Sequence, residues 1–287
     1  RGLKLLGSRP PRPGHSLCTD RARPPSAWRR CLVALIGCRM SGDERESVGH
    51  ALKAVSGKWL PPVRVMDLAE GCSKAHQVDC RRDRPCLILE NVLSRGECKA
   101  LLEVLRERHG DPEAAAYSTQ PGSRSQFLTY DPELSSLLWE RIRETLPAEL
   151  DGGTAVGLMG VVAHARYFPG QVGFPHIDFR HGPRHPDPLA QDSCVASRIS
   201  FTLYLDDDFS GGDLEFIHGL HLDGTHDGAH SRVEPRSGMA VVFYQGVKEF
   251  AHFPCAVRSG CKSILRADVL YRFPDGASAD VGCLSVS

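Results

Sequence analysis

Apolar positions change their spacing part-way along this chain. Cys86-Leu87-Ile88-Leu89 is a short continuous apolar run, the pattern of a buried strand. Ser94 follows, with Glu97 three residues on, the signature of a capping box at a helix start. Leu101, Leu102, Val104 and Leu105 supply the apolar face of that helix. Asp131-Pro132 predicts a second helix, with an N-cap and a first-turn proline. Its core stripe is Leu134, Leu137, Leu138, Ile142 and Leu146, and Pro147 is expected to end it. From Val161 onward the pattern becomes short β segments divided by Gly, Pro and Asp turns. Helices followed by many short strands predict an α+β protein with a barrel or double-sheet core and N-terminal supporting helices. A jelly roll (a double-stranded β-helix) fits, since it can hold a metal in its mouth. No internal repeat is visible.

The chain divides unequally. Residues 1–39 hold eight arginines and one lysine against a single acid, Asp20, with prolines at 10, 11, 13, 24 and 25. Three readings of this segment stand side by side: an organelle-targeting peptide, a disordered basic arm, or a gene-model artefact whose true start is Met40. The apolar run from Cys31 to Cys38 is too short to span a bilayer. Residues 40–82 read as a partly ordered lead-in, 83–275 as the functional module and 276–287 as a tail.

Composition narrows the partners. Lys+Arg and Asp+Glu balance at 35 each, so no global field favours nucleic acid or a membrane surface. No apolar stretch approaches the ~20 residues of a membrane span. Eleven scattered cysteines with no C-x-x-C pair suit reduced thiols in a cytoplasmic setting, although the ER is also compatible.

The candidate chemistry begins at His176-Ile177-Asp178. Residues two apart on a strand share a face, so His176 and Asp178 can bind one metal ion from one side. A later strand carrying His252 would bring the third ligand. Two imidazoles and one carboxylate leave half of an octahedron open, the donor set of non-haem Fe(II) oxygenases. Lys262, ten residues beyond His252, supplies a cation of the kind a dicarboxylate needs at its far end. A second histidine group, His218, His221, His226 and His230, is interleaved with Gly219, Gly224 and Gly228 and reads as a solvated loop rather than a zinc site. The long stretch from Arg180 to Ser197, rich in Pro, His and Asp, reads as a loop at the mouth, where Arg180, His181 and Arg184 would touch substrate.

The surroundings of these residues carry a family resemblance. Tyr167-Phe168-Pro169-Gly170-Gln171 and Phe174-Pro175 precede the H-x-D. After it come Arg198 to Asp206, then Gly211-Gly212-Asp213-Leu214-Glu215-Phe216, then Val233-Glu234-Pro235-Arg236-Ser237-Gly238 and the apolar run Met239 to Tyr244. His252 to Lys262 and Leu265 to Tyr271 complete the set. In order and spacing this resembles the prolyl 4-hydroxylase-like family of 2-oxoglutarate- and Fe(II)-dependent dioxygenases over about residues 83–273.

The resemblance implies Fe(II) on His176, Asp178 and His252, 2-oxoglutarate as co-substrate, and ascorbate as the reductant that restores Fe(II). It places Lys262 on the 5-carboxylate of 2-oxoglutarate. Arg266, four residues on and on the same face, is a rival, since Arg pairs a carboxylate bidentately. Tyr167 and Tyr204 align with tyrosines of the co-substrate pocket, and Ser200 or Thr202 would line it. The activity implied is hydroxylation of a prolyl or other protein or peptide residue, with a small-molecule substrate still open. A cupin-like metalloenzyme and a catalytically silent binding module of the same fold are the competing classes.

Overall fold

The computed structural model describes residues 48–55, 62–67, 84–110, 122–181, 187–221 and 223–274. These belong to one unit within Met40–Ser287. The basic segment 1–39 and the tail 276–287 lie outside the described residues. Among the described helices are α1 (Val48–Val55), α2 (Arg95–His109) and α3 (Pro132–Ile142). No described helix is long and apolar enough to cross a membrane.

Side-chain caps start the helices where the sequence predicts. Ser94 accepts from the Glu97 amide while the Glu97 carboxylate accepts from the Ser94 amide, a complete capping box. Asp131 caps two helices at once. Its Oδ1 accepts from the Leu134 amide of α3 at 2.9 Å, and its Oδ2 from the Val48 amide of α1 at 2.7 Å. Glu97 is also gripped by Arg141 of α3, with Nη2 donating to Oε1 at 2.6 Å. That ion pair ties α2 to α3 under cover from water, where breaking it costs most. Helix α3 ends earlier than its apolar stripe suggests. A 3₁₀ turn covers Arg143–Thr145, and Leu146 is extended. The reason is Pro147, which disfavours the α region for the residue before it.

Strands make up most of the rest. The large sheet runs in the order β1 (Arg64–Asp67), β2 (Cys86–Glu90), β11 (Ala240–Tyr244), β7 (Val195–Tyr204), β14 (Lys262–Arg272), β5 (Gly153–Leu158), β4 (Glu149–Leu150). Off this path β6 (Val161–Tyr167) pairs with the first half of β14, and β3 (Ser125–Tyr130) pairs with β6. A smaller sheet holds β10 (Gly228–Val233), β9 (Leu214–His218) and β12 (His252–Pro254), and β8 (Ser210–Gly211) pairs with β13 (Val257–Ser259). The pairings are antiparallel. Within the lead-in 40–82, β1 therefore adds an edge to the main sheet.

All ten residues of β7 are buried, as are all five of β11, so both faces of these strands are covered. On one side the small sheet meets the large one through Phe216 of β9, edge-on to Phe243 of β11 at 5.4 Å between centroids. Both rings also reach His252. Elsewhere, His164 of β6 is buried beside Phe127 and His109, with both ring nitrogens lacking a hydrogen-bond partner among the described residues.

Candidate metal centre

The site forms where the segment after β6 crosses the small sheet. Gly173 lets it approach, since a Cβ there would stand 2.3 Å from the Pro254 ring. Its amide donates to the Pro254 carbonyl at 2.9 Å. Next, His176 and His252 exchange both main-chain hydrogen bonds, each 2.9 Å, as an isolated antiparallel bridge. The H-x-D is therefore on an extended segment rather than inside a strand. Two residues along, Pro254 has no N–H to give back, and β12 is only three residues long, so the ladder stops at one rung.

Side chains converge here nonetheless. His176, Asp178 and His252 each offer a ligand atom within 4.8 Å of the others, the group of described residues that can hold a metal ion. Asp178 Oδ1 is 3.4 Å from His176 Nε2 and 4.0 Å from His252 Nε2. Both rings are oriented by their other nitrogen. His176 Nδ1 bonds the Phe174 carbonyl at 2.7 Å, and His252 Nδ1 bonds the Phe250 carbonyl at 2.8 Å. A carbonyl only accepts, so Nδ1 carries the proton and Nε2 keeps its lone pair for a ligand role. Burial, followed by the neighbouring His176, lowers the His252 pKa to about 4, which keeps the ring neutral. Burial alone would raise Asp178, but the Arg266 guanidinium and the two histidines outweigh it and hold the carboxyl well below the usual range. Two imidazoles, an ionised carboxylate and an open side suit Fe(II).

Strand alternation supplies the wall behind these ligands. Lys262, Arg266 and Asp268 share one face of β14; Ser200, Thr202 and Tyr204 are on the matching face of β7. The register pairs Asp268 with Ser200, Arg266 with Thr202 and Ile264 with Tyr204. Arg266 Nη2 lies 2.7 Å from Asp178 Oδ1. Ser200 Oγ donates to Asp178 Oδ2 at 2.6 Å. Gln245, just past the end of β11, donates from Nε2 to Ser200 Oγ at 3.0 Å and accepts from Ser197 Oγ at 2.7 Å. Gln245 and Asp268 are site residues that sequence reasoning missed. Their signals were the first polar residue after the apolar run Met239–Tyr244, and an acid two places beyond Arg266 in an apolar strand.

Lys262 stands apart from this carboxylate knot. It is 2% exposed, and its Nζ donates to the Gly212 carbonyl and lies 4.9 Å from the Tyr167 ring centre and 5.9 Å from that of Tyr204. Burial lowers its pKa to about 8. Tyr167 sits directly across the ladder from Lys262. Burial also raises the Tyr204 hydroxyl above its ordinary value.

The mouth residues are engaged within the protein. Arg180 donates to the Tyr244 hydroxyl, which in turn donates to Asp151. His181 faces Asp268 at 3.3 Å. Arg184 lies outside the described residues. His218 ends β9 and His230 lies in β10; between these strands His221 pairs with Asp227 at 2.9 Å and is exposed, and His226 lies tilted against Phe253. None of His218, His221 or His226 enters a metal-holding group among the described residues, and the His230 side chain lies outside them.

No family model and no curated protein matches this chain. Solved structures do. A viral collagen prolyl hydroxylase from Paramecium Bursaria Chlorella virus-1, in its 2OG complex, matches at 19% identity and TM-score 0.42, over 66% of this chain and 96% of that one. A prolyl-4-hydroxylase from Pseudomonas putida matches at 19% and 0.44, over 68% and 96%. A 2OG-Fe(II) oxygenase family oxidoreductase from Burkholderia pseudomallei matches at 12% and 0.29, over 65% and 66%. The chain is similar to prolyl 4-hydroxylases and 2OG-Fe(II) oxygenases.

Proposed function

We propose that the protein is a 2-oxoglutarate- and O₂-dependent Fe(II) hydroxylase, and that its stacked antiparallel sheets are a double-stranded β-helix. The observation that carries this reading is the convergence of His176, Asp178 and His252 with both Nε2 lone pairs free. Held there, Fe(II) with 2-oxoglutarate would supply the O₂-activating chemistry that hydroxylates an unactivated C–H bond.

The chain's own part is binding, orientation and exclusion of water. His176 and His252 present Nε2, and Asp178 presents Oδ1. Lys262 holds the 5-carboxylate of 2-oxoglutarate, with Tyr167 and Tyr204 walling the pocket and Thr202 behind it. Lys262 is the better anchor because, among the described residues, its Nζ donates only to the Gly212 carbonyl, whereas Arg266 is already bonded to Asp178. Ser200 serves the metal carboxylate. Phe174 and Phe179, more than half exposed beside the ligands, border the opening that a prolyl or other protein residue would enter. The same reading takes ascorbate as external reductant.

The test is 2-oxoglutarate turnover on a panel of prolyl and non-prolyl peptides, read as succinate formed and as a mass gain of one oxygen. Succinate with no peptide oxidised would move the substrate to another class. Absence of 2-oxoglutarate turnover under iron and ascorbate would sink the reading.

A further inference from the structure

A monodentate metal carboxylate has to be held at a set rotation, because the terminal torsion of Asp is broad when left alone. Asp178 is held from both ends of the residue by one pair of neighbours, Gln245 and Gly246. The Gly246 amide donates to the Asp178 main-chain carbonyl at 3.0 Å. Gly246 has φ 77° and a Cβ there would crowd Arg180, so glycine suits the turn. Gln245 reaches the same residue's side chain through Ser200.

The hydrogen bonds run in one direction. The His181 amide donates to Ser197 Oγ at 2.7 Å, and Ser197 Oγ donates to Gln245 Oε1 at 2.7 Å. Gln245 Nε2 then donates to Ser200 Oγ at 3.0 Å, and Ser200 Oγ donates to Asp178 Oδ2 at 2.6 Å. A hydroxyl has a single proton. With the Gln245 amide on its accepting side, Ser200 directs that proton to Asp178. The carboxylate is thereby held at Oδ2, while Oδ1, paired with Arg266 at 2.7 Å, faces His176 and His252. Ser197, Ser200 and Gln245 are fully buried, so water does not substitute for a missing link. Linked bonds of this kind reinforce one another in a low-dielectric interior.

We infer that Gln245 is a positioning residue for Asp178, setting the affinity and geometry of the metal site through Ser200 without touching the metal. The inference rests on the assignment of His176, Asp178 and His252 as metal ligands. Partners that orient a metal ligand are worth about 10–100-fold in metal affinity.

The experiment titrates the metal-free protein with Co(II), following visible absorption for both affinity and coordination, and repeats it for Gln245→Met, Ser200→Ala, the double variant and Asp178→Ala. Urea unfolding of the metal-free forms identifies conditions in which each is folded. Either single variant should raise the Co(II) Kd about 10–100-fold and alter the ligand-field spectrum. The double variant should be little worse than Ser200→Ala, because Gln245 acts through that hydroxyl. Gln245→Met binding Co(II) with wild-type affinity and spectrum overturns the inference. So does full additivity in the double variant, which would show that the two residues act separately. A wild type that takes up no Co(II), or an Asp178→Ala variant that binds as tightly as wild type, overturns the ligand assignment instead and the inference falls with it.

Discussion

Lys262 carries a cost in the empty protein that 2-oxoglutarate would remove. Its ammonium is enclosed by the Tyr167 and Tyr204 rings, with Gly212 as a carbonyl acceptor, and burial brings its pKa from 10.5 to about 8. At about 1.4 kcal/mol per pH unit, that shift corresponds to roughly 3 kcal/mol. The sign follows from proton uptake. The folded pKa lies below the unfolded one, so the unfolded chain binds more protons between about pH 8 and 10.5 and stability rises with pH through that window. Below pH 8 the full penalty is present. Lys262→Met should therefore stabilise the ligand-free protein at pH 7 by up to roughly 3 kcal/mol while losing the co-substrate anchor. Loss of a buried ionic contact of several kcal/mol corresponds to roughly a hundredfold or more in the 2-oxoglutarate Kd. In the wild type the bound form needs the ammonium, so the Kd should climb about fivefold between pH 8 and pH 9 and stay flat below pH 7. Calorimetric titration of 2-oxoglutarate into the Mn(II) protein from pH 6.5 to 9.5, with urea unfolding of the metal-free forms, measures all of this. A Lys262→Met protein that binds within threefold of wild type and keeps the same pH profile would refute the anchor role.

Three further outcomes are expected. Asp178→Ala should abolish Fe(II) binding and turnover, and Asp178→Asn should do nearly as much; near-native activity in the alanine variant contradicts the ligand set. Replacing His218, His221, His226 and His230 together with Gln should leave about one metal per chain by elemental analysis, since the metal-holding group contains none of them. His164, buried and shifted to about 3 first by burial and then by Arg166, destabilises the fold as pH falls below 6.5, with the loss complete near pH 3. Against His164→Leu, the wild type should lose roughly 3 kcal/mol more between pH 7.5 and pH 4.5 in urea unfolding, and an equal loss in both proteins would remove His164 as the cause.

Features set by residues close together in the chain are legible in the sequence. Ser94 with Glu97, and Asp131 with Pro132, mark helix starts because a cap is a three-residue contact. Pro147 marks a helix end, but the last turn tightens before it, since the proline acts on the residue ahead of itself. His176, Asp178, His252 and Lys262 stand out through residue type and spacing. What the sequence hides is everything set by register between distant strands. Arg266 looks like a carboxylate anchor in sequence. Only the pairing of β14 with β7, and the fold of the segment before β7, turn it onto Asp178. Ser200 likewise serves a carboxylate of the protein rather than a ligand's, and Gln245 is an unremarkable amide until Ser197 and Ser200 are placed on either side of it.

The bridge between His176 and His252 has a bearing on how such a chain tolerates change. The two imidazoles are neighbours because their own main chains are bonded to each other, at the ~5.5 Å Cα spacing of a hydrogen-bonded antiparallel pair. Their separation is thus a property of one rung of peptide, indifferent to how many residues lie between them in sequence. The excursion from residue 179 to 251 can lengthen, shorten or exchange its surface loops, and with them whatever it recognises, without retuning the distance on which the chemistry depends.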